Sequence, residues 1–207
     1  MRRPRFIAEQ ARDARGPVGR LIAFIMARET WAQNIRAIEA LDVDGTDTIL
    51  DVGCGHGRSL ATLAARAPNG RVAGVDPSEL MVEIAIERNR ALVKAGQVDV
   101  VVAGVEALPF PDGAFDKALC VHVVYFWSDL DAALREIARV LKPGGALALL
   151  FRTNADAAAV RSFPAEVYSF PAFDEVVAAL GRAGLAVGAD EFNGAPVLLL
   201  ATKRSGS

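Results

Sequence analysis

Cysteine is scarce in this sequence: Cys54 and Cys120 are the only two, and each stands alone. Neither has a neighbour at metal-ligand spacing, so the sequence argues against both a zinc site and a disulfide framework, and no metal is expected. Such a chain suits a reducing, cytoplasmic setting. An excess of charge of either sign is missing as well, the formal net charge being −2. Without a basic excess there is no footprint for a nucleic acid held through its phosphates, so no such partner is expected. Long apolar runs are also lacking. The basic start Met1-Arg2-Arg3-Pro4-Arg5 and the apolar run Leu21 to Ala27 invite a signal-peptide reading. That run falls well short of the roughly 20 residues that a membrane helix needs. Arg28 and Glu29 then follow it without a small-residue cleavage pattern. The expectation is an amphipathic helix closing over the core, with no membrane partner.

What is present is a globular balance: 207 residues, of which 52% are hydrophobic and 23% charged. That is enough chain for one domain with a full core. From Asp47 onward, short β-branched or apolar runs alternate with helical stretches, the pattern of strand–helix–strand units and a parallel sheet. Strands are expected near Thr48 to Val52, Arg71 to Val75, Val98 to Val102, Phe115 to Val121 and Ala146 to Phe151. A helix should begin at Ser78, whose hydroxyl suits an N-cap, and carry Leu80, Met81, Ile84 and Ala85 at helical spacing. Another should run from about Asp129 to Leu141 and end at the turn Lys142-Pro143-Gly144-Gly145. Phe173 to Ala183 reads as a helix. The runs Leu185 to Gly188 and Pro196 to Thr202, with Asn193-Gly194 between them, read as an antiparallel pair at one end of the sheet. Two helices, about Val18 to Ala27 and Thr30 to Leu41, precede the first strand. Residues 1–46 are thus read as a helical cap over the cofactor side and 47–207 as the α/β core of a single domain.

The most informative stretch is Asp51-Val52-Gly53-Cys54-Gly55-His56-Gly57-Arg58-Ser59, a buried strand entering three alternating glycines and then a helix. Glycines there allow tight turning and let a ligand approach backbone N–H groups at a positive helix end. Val72-Ala73-Gly74-Val75-Asp76 is an apolar strand ending in a carboxylate about 20 residues beyond, where an adenosine ribose could be accepted. Asp76 could instead simply cap the helix that follows. A nicotinamide-dinucleotide loop needs its third glycine at position 58, which is Arg58, so spacing argues against that rival.

Further on come Leu108-Pro109-Phe110, Phe115-Asp116 and Leu141-Lys142-Pro143-Gly144-Gly145. With these five elements in order, over roughly Thr48 to Phe151, the chain resembles the class I S-adenosylmethionine-dependent methyltransferases, in particular small bacterial enzymes with an acid-x-Gly-x-Gly-x-Gly loop. The resemblance implies a Rossmann-like seven-stranded, mostly parallel sheet with an antiparallel last strand and helices on both faces. It implies S-adenosylmethionine as cofactor, with S-adenosylhomocysteine as product. Asp51 and the backbone of Gly53, Cys54 and Gly55 would hold the methionine end, Asp76 and Pro77 the ribose, and Met81 the adenine face. Gly104, Val105 and Glu106 would run along the adenine edge, and Cys120 beside the methionine. Relatives commonly carry an aspartate in place of Gly104, so the adenine amino contact would fall to the Val105 backbone or to Glu106.

Cys54 within the loop reads as a small packing residue rather than a nucleophile, and His56 as a helix-start residue. The run Val121-His122-Val123-Val124-Tyr125-Phe126-Trp127 follows the fourth strand at the carboxyl edge, where acceptors bind in open α/β folds. His122 and Tyr125 are the candidate bases for an acceptor that must lose a proton; a thiolate, neutral amine or halide would need none. Phe126 reads as packing. Phe151 is expected beside a small, partly apolar acceptor, and the aromatic, proline-broken segment Phe163 to Phe173, with Pro164 and Pro171, is expected to form a mobile flap over that pocket. The expected function is methyl transfer to a small molecule by direct displacement; the alternative is a cofactor-binding regulatory or partner subunit without turnover. Oligomeric state is not legible.

Overall fold

The computed structural model describes residues 4–12, 14–16, 19–22, 29–190 and 196–205. In chain order the helices and strands are α1 (Arg5–Arg12), α2 (Trp31–Ala40), β1 (Thr48–Val52), α3 (Arg58–Arg66), β2 (Arg71–Asp76), α4 (Glu79–Arg88), α5 (Arg90–Lys94) and β3 (Val98–Val102). They continue with β4 (Phe115–Val121), α6 (Leu130–Val140), β5 (Leu141–Phe151), α7 (Ala157–Ser162), α8 (Phe173–Arg182), β6 (Leu185–Asp190) and β7 (Val197–Lys203). Short 3₁₀ turns lie at Val105–Ala107 and Val124–Phe126. The strands form one sheet in the order β3-β2-β1-β4-β5-β7-β6, with β7 antiparallel to both neighbours and the other adjacent pairs parallel.

The strands are apolar on both faces because both faces are covered, as a parallel sheet requires. Ile49, Val72, Leu119 and Ala148 pack against Ile38 of α2, Leu60 and Leu63 of α3, and Ala85 of α4. Their chain neighbours Leu50, Ala73, Ala118 and Leu149 point the other way, with Leu134 and Ile137 of α6 and Val176 and Leu180 of α8 in the same cluster. Each of those buried leucines and isoleucines contributes roughly 1.5–3 kcal/mol of transfer free energy. No helix among the described residues is long and apolar enough to cross a membrane.

Several of the motif residues turn out to be joints of the frame. Asp116 Oδ2 accepts the Thr48 backbone N–H at 2.9 Å while the carboxylate meets Lys142 Nζ at 2.8 Å, tying the starts of β1, β4 and β5 together. Arg139 donates to the carbonyls of Phe110 and Leu108, to Asp112 and to Glu136, which in turn accepts from Leu108 N. The Leu108-Pro109-Phe110 stretch is thereby fastened to α6.

The expected turn at Lys142 to Gly145 is instead the irregular first part of β5: pairing shifts from Phe115↔Leu141 to Lys117↔Ala146, and Gly144 takes φ 79°. The helices α1, α5 and α7 were not anticipated; they are short, of 8, 5 and 6 residues, and give little periodic signal. Residues 19–22 are helical where Val18 to Ala27 is expected to be, while Asn193-Gly194 and the rest of that first helix lie outside the described residues.

Candidate active site

A cavity of about 560 Å³ opens at the carboxyl ends of β1, β2 and β4, within the range of roughly 300–1,000 Å³ usual for small-molecule sites. The crossover point of the sheet lies here, since β1 is flanked by β2 on one side and β4 on the other.

Its floor is the glycine turn. Gly53, Gly55 and Gly57 all have positive φ, at 72°, 54° and 71°. They differ in what a side chain would meet. At Gly57 a Cβ would lie 2.7 Å from Ala85 Cβ and 2.8 Å from Asn89 Nδ2, so this glycine lets α3 close on α4. At Gly55 a Cβ would meet nothing within 4 Å, so this glycine faces open cavity. Asp76, at the tip of β2, clamps the turn: its Oδ2 accepts from Gly55 N at 2.9 Å and its Oδ1 from Ser78 N at 3.0 Å. Ser78 caps α4, accepting from Met81 N, and donates to the Ala14 carbonyl at 2.9 Å, which pins the chain after α1 to the rim. Thus both readings of Asp76 meet in one residue, which orders the start of α4 and also lines the cavity.

Gly53, Cys54, Gly55, Asp76, Pro77, Met81, Gly104, Val105, Glu106, His122 and Tyr125 all line this space. Asp51 and Cys120 do not. Cys120 is fully buried in the core with Val52 and Ala118, because alternation along β4 turns it away; Val121, the next residue, is on the wall. Asp51 is 3% exposed behind the glycine turn, where it accepts a short hydrogen bond from Ser59 Oγ. Burial lifts its carboxyl to about 7, against the lowering effect of the Ser59 bond, and the Asp76 charge adds to the lift. Phe151 is likewise 0% exposed and belongs to the core rather than to the wall. Glu106 divides its carboxylate: Oε1 accepts from Ser128 N and Oγ, while Oε2 lies 3.8 Å from where a Cβ at Gly104 would stand. Cys54 is buried, which pushes its thiol well up, with Asp51 and Asp76 adding to the shift.

At the other end His122 takes φ 59°, a left-handed conformation uncommon for a side-chain-bearing residue, and bridges two elements. Its Nε2 pairs with Gln33 Oε1 of α2, and its Nδ1 lies 2.9 Å from the Tyr125 hydroxyl, which itself accepts from Arg152 N at 2.6 Å. Because Gln33 presents an oxygen, Nε2 carries the proton, Nδ1 accepts, and the Tyr125 O–H donates to it. Burial holds His122 down at about 4, with the Arg152 charge adding to this, and burial pushes the Tyr125 phenol up. His56 is similarly held at about 4, first by burial and then by the Arg88 charge; its Nδ1 accepts from Arg58 N at 3.2 Å.

Trp31 and Arg152, not anticipated from sequence, complete the wall together with the expected aromatic residues. Trp31 carries the Arg58 guanidinium over its ring at 3.8 Å. Tyr125, Phe163, Tyr168 and Phe170 form a packed aromatic group, with Phe126 against Tyr168 at 4.9 Å and thus serving packing and wall together. The expected flap does cover the cavity, but it is held there, Ser169 N donating to the Tyr125 carbonyl at 3.1 Å. The composition of the segment Phe163 to Phe173 carried that signal; nothing in the sequence flagged Gln33 or Arg152.

A glycine turn and a facing acid at the sheet crossover define a protein that binds a nucleotide-like ligand. Comparison with known proteins narrows the class: residues 50–149 match the family described as a methyltransferase domain. YdaC of Bacillus subtilis, named an uncharacterized methyltransferase, is 32% identical over 129 residues, covering 62% of this chain and 69% of that one. The O-methyltransferase rstn1 of Aspergillus nomiae is 40% identical over 101 residues, 49% of this chain and 44% of that one. A SAM-dependent methyltransferase from Aquifex aeolicus has the same fold at TM-score 0.69, with 25% identity and 82% and 89% of the two chains covered. The chain belongs to the class I S-adenosylmethionine-dependent methyltransferase family. It spans about a third to a half of the length of several curated relatives that it matches.

Proposed function

We propose that this chain binds S-adenosylmethionine in the cavity at the carboxyl ends of β1, β2 and β4 and catalyses transfer of its methyl group to a small acceptor. One observation carries the reading: the open face of Gly55 and the fixed carboxylate of Asp76 share a single cavity with room for both an adenosyl group and an acceptor. The family membership supports the identity of the cofactor. The name of the rstn1 relative, an O-methyltransferase, supports an oxygen as the accepting atom.

In this reading Asp76, its orientation fixed by bonds from the Gly55 and Ser78 backbone N–H groups, accepts the ribose hydroxyls. Gly53 to Gly55 receive the methionine end, and the buried carboxyl of Asp51 acts on it from behind the turn rather than by contact. Met81, Pro77 and the Gly104 to Glu106 backbone flank the adenine. The helices up to residue 46 close the cavity, through Gln10, Ala14 and the start of α2. The bound cofactor supplies an electrophilic methyl group on a sulfonium. The chain's own task is then placement of the acceptor and exclusion of water, where orientation supplies on the order of 7–11 kcal/mol at best.

Titration calorimetry with S-adenosylmethionine and an assay of S-adenosylhomocysteine release over a panel of small acceptors test the proposal. Asp76→Ala should weaken cofactor binding about 10-fold to 100-fold, the worth of a charge-assisted hydrogen bond. Full affinity in that variant would reject the site. Cofactor binding without turnover on the panel would favour a non-catalytic binding subunit.

A further inference from the structure

The two candidate bases beside the aromatic wall, His122 and Tyr125, are already engaged. His122 is bonded at both ring nitrogens, to Gln33 and Tyr125. The Tyr125 hydroxyl is committed to His122 and to Arg152 N. His56 accepts from Arg58 N with the nitrogen that lacks the proton. Glu106 gives Oε1 to Ser128, and Asp76 belongs to the ribose end of the cavity. Positive charge, by contrast, is in place. Arg152 lines the cavity beside Tyr125; its Nη1 donates to Asp156 Oδ2 at 2.6 Å, and Nη2 and Nε have no hydrogen-bond partner among the described residues. Tyr125, Phe126, Phe163, Tyr168 and Phe170, packed on one another, line the same cavity. A planar apolar body fits the rings, and the free edge of a guanidinium recognises an oxyanion.

We propose that the acceptor is a small aromatic anion, a carboxylate or an acidic phenolate, that enters already ionised and is positioned by Arg152 through Nη2 and Nε. This rests on the methyltransferase reading and specifies its acceptor. The step balances without a base: an acceptor lone pair forms the bond to the methyl carbon as the carbon–sulfur bond breaks, and that bond's electron pair goes to sulfur. The sulfonium charge and the acceptor charge cancel, and no proton has to leave. Arg152 is a specificity-determining residue, since its attraction acts on the anion and not on a neutral analogue of equal shape.

The test is calorimetry on protein saturated with S-adenosylhomocysteine, titrated with benzoate, phenylacetate and 4-nitrophenolate, and with benzamide, phenylacetamide and nitrobenzene as neutral counterparts. At least one anion should bind about tenfold or more tightly than its counterpart, and Arg152→Gln should remove that preference while Arg152→Lys retains part of it. Thermal melts of both variants check that loss of the Asp156 pair has not unfolded α7. Equal binding of anions and neutral counterparts, no binding of any anion, or a preference unchanged in a folded Arg152→Gln variant overturns the proposal. Failure of the parent to bind S-adenosylhomocysteine at all is a separate result, and would reject the methyltransferase reading itself.

Discussion

Two glycines two residues apart, Gly55 and Gly57, illustrate how differently a single methyl group acts at this site. Gly57→Ala forces a Cβ to 2.7 Å from Ala85 Cβ in a left-handed conformation, so overpacking and strain together should lower folding stability by about 2–5 kcal/mol, read from urea denaturation. Gly55→Ala meets no protein atom, so the expected folding cost is only the left-handed strain, about 1–2 kcal/mol. Its methyl occupies cavity space, however, and its main effect should be on cofactor affinity in a calorimetric titration. Equal loss of affinity in the two variants would mean that the Gly55 face is not where the ligand lies.

Asp51 gives a pH signature. Its carboxyl stands at about 7 in the folded chain against 3.8 ordinarily, burial being the first cause. Between those values the folded state keeps a proton that the unfolded chain has released, so this residue's contribution to stability is complete below 3.8 and falls as pH rises through 7. Asp51→Asn keeps an oxygen for the Ser59 hydroxyl and removes the titration. Relative to the parent, the variant without cofactor should therefore gain stability between pH 5 and pH 8, by on the order of 1 kcal/mol or more, in paired thermal melts. A difference that is flat with pH would show that Asp51 is ionised in the fold throughout.

At the scale of elements, the start of α4 is a joint between the N-terminal chain and the Rossmann-like core. Ser78 Oγ accepts from Met81 N and donates to the Ala14 carbonyl. Ser78→Ala removes both bonds, and a lost cap costs about 1 kcal/mol. For a chain of this size that lowers the melting temperature by about 2–4 °C. A cap alone would leave cofactor affinity unchanged; because the tether also holds the cavity rim, affinity should fall with it.

The strands and the larger helices were legible because each is long and apolar enough to show its period: β1 to β4 follow the expected runs, and α6 has its Asp129 cap and Leu134–Ile137 face in place. What escaped was set by tertiary pairing. A five-residue α5 shows no period, and the irregular start of β5 depends on where Phe115 and Lys117 find partners. The same holds in the site. The glycine turn and Asp76 are local in sequence and were readable. The bond between Gln33 and His122 joins residues 89 apart, and no spacing announces it. Cys120 and Phe151 were misassigned to the site for a simpler reason: at the end of a strand, which face a residue takes depends on register, and one position decides it.

At the scale of the whole molecule, the cavity is assembled from segments that are distant in the chain, from Gln10 through the glycine turn to Phe170. A ligand touching all of them links the N-terminal helices to the sheet, and it stabilises only those openings of the fold that would release it. Binding should therefore protect amides unevenly. With S-adenosylhomocysteine present, hydrogen exchange should slow across α2, the 53–59 turn and the start of α4. The β6–β7 pair, on the far side of β5, should be unchanged unless exchange there occurs through global unfolding. Because a ligand at one hundred times its dissociation constant adds about 2.7 kcal/mol against openings that abolish binding, the slowing in linked segments should approach 100-fold. The Trp31–Ala40 amides discriminate best: protection there equal to that of the glycine turn means that α2 is part of the closed site. Protection confined to residues 53–82 would mean that the N-terminal helices open and close independently of cofactor.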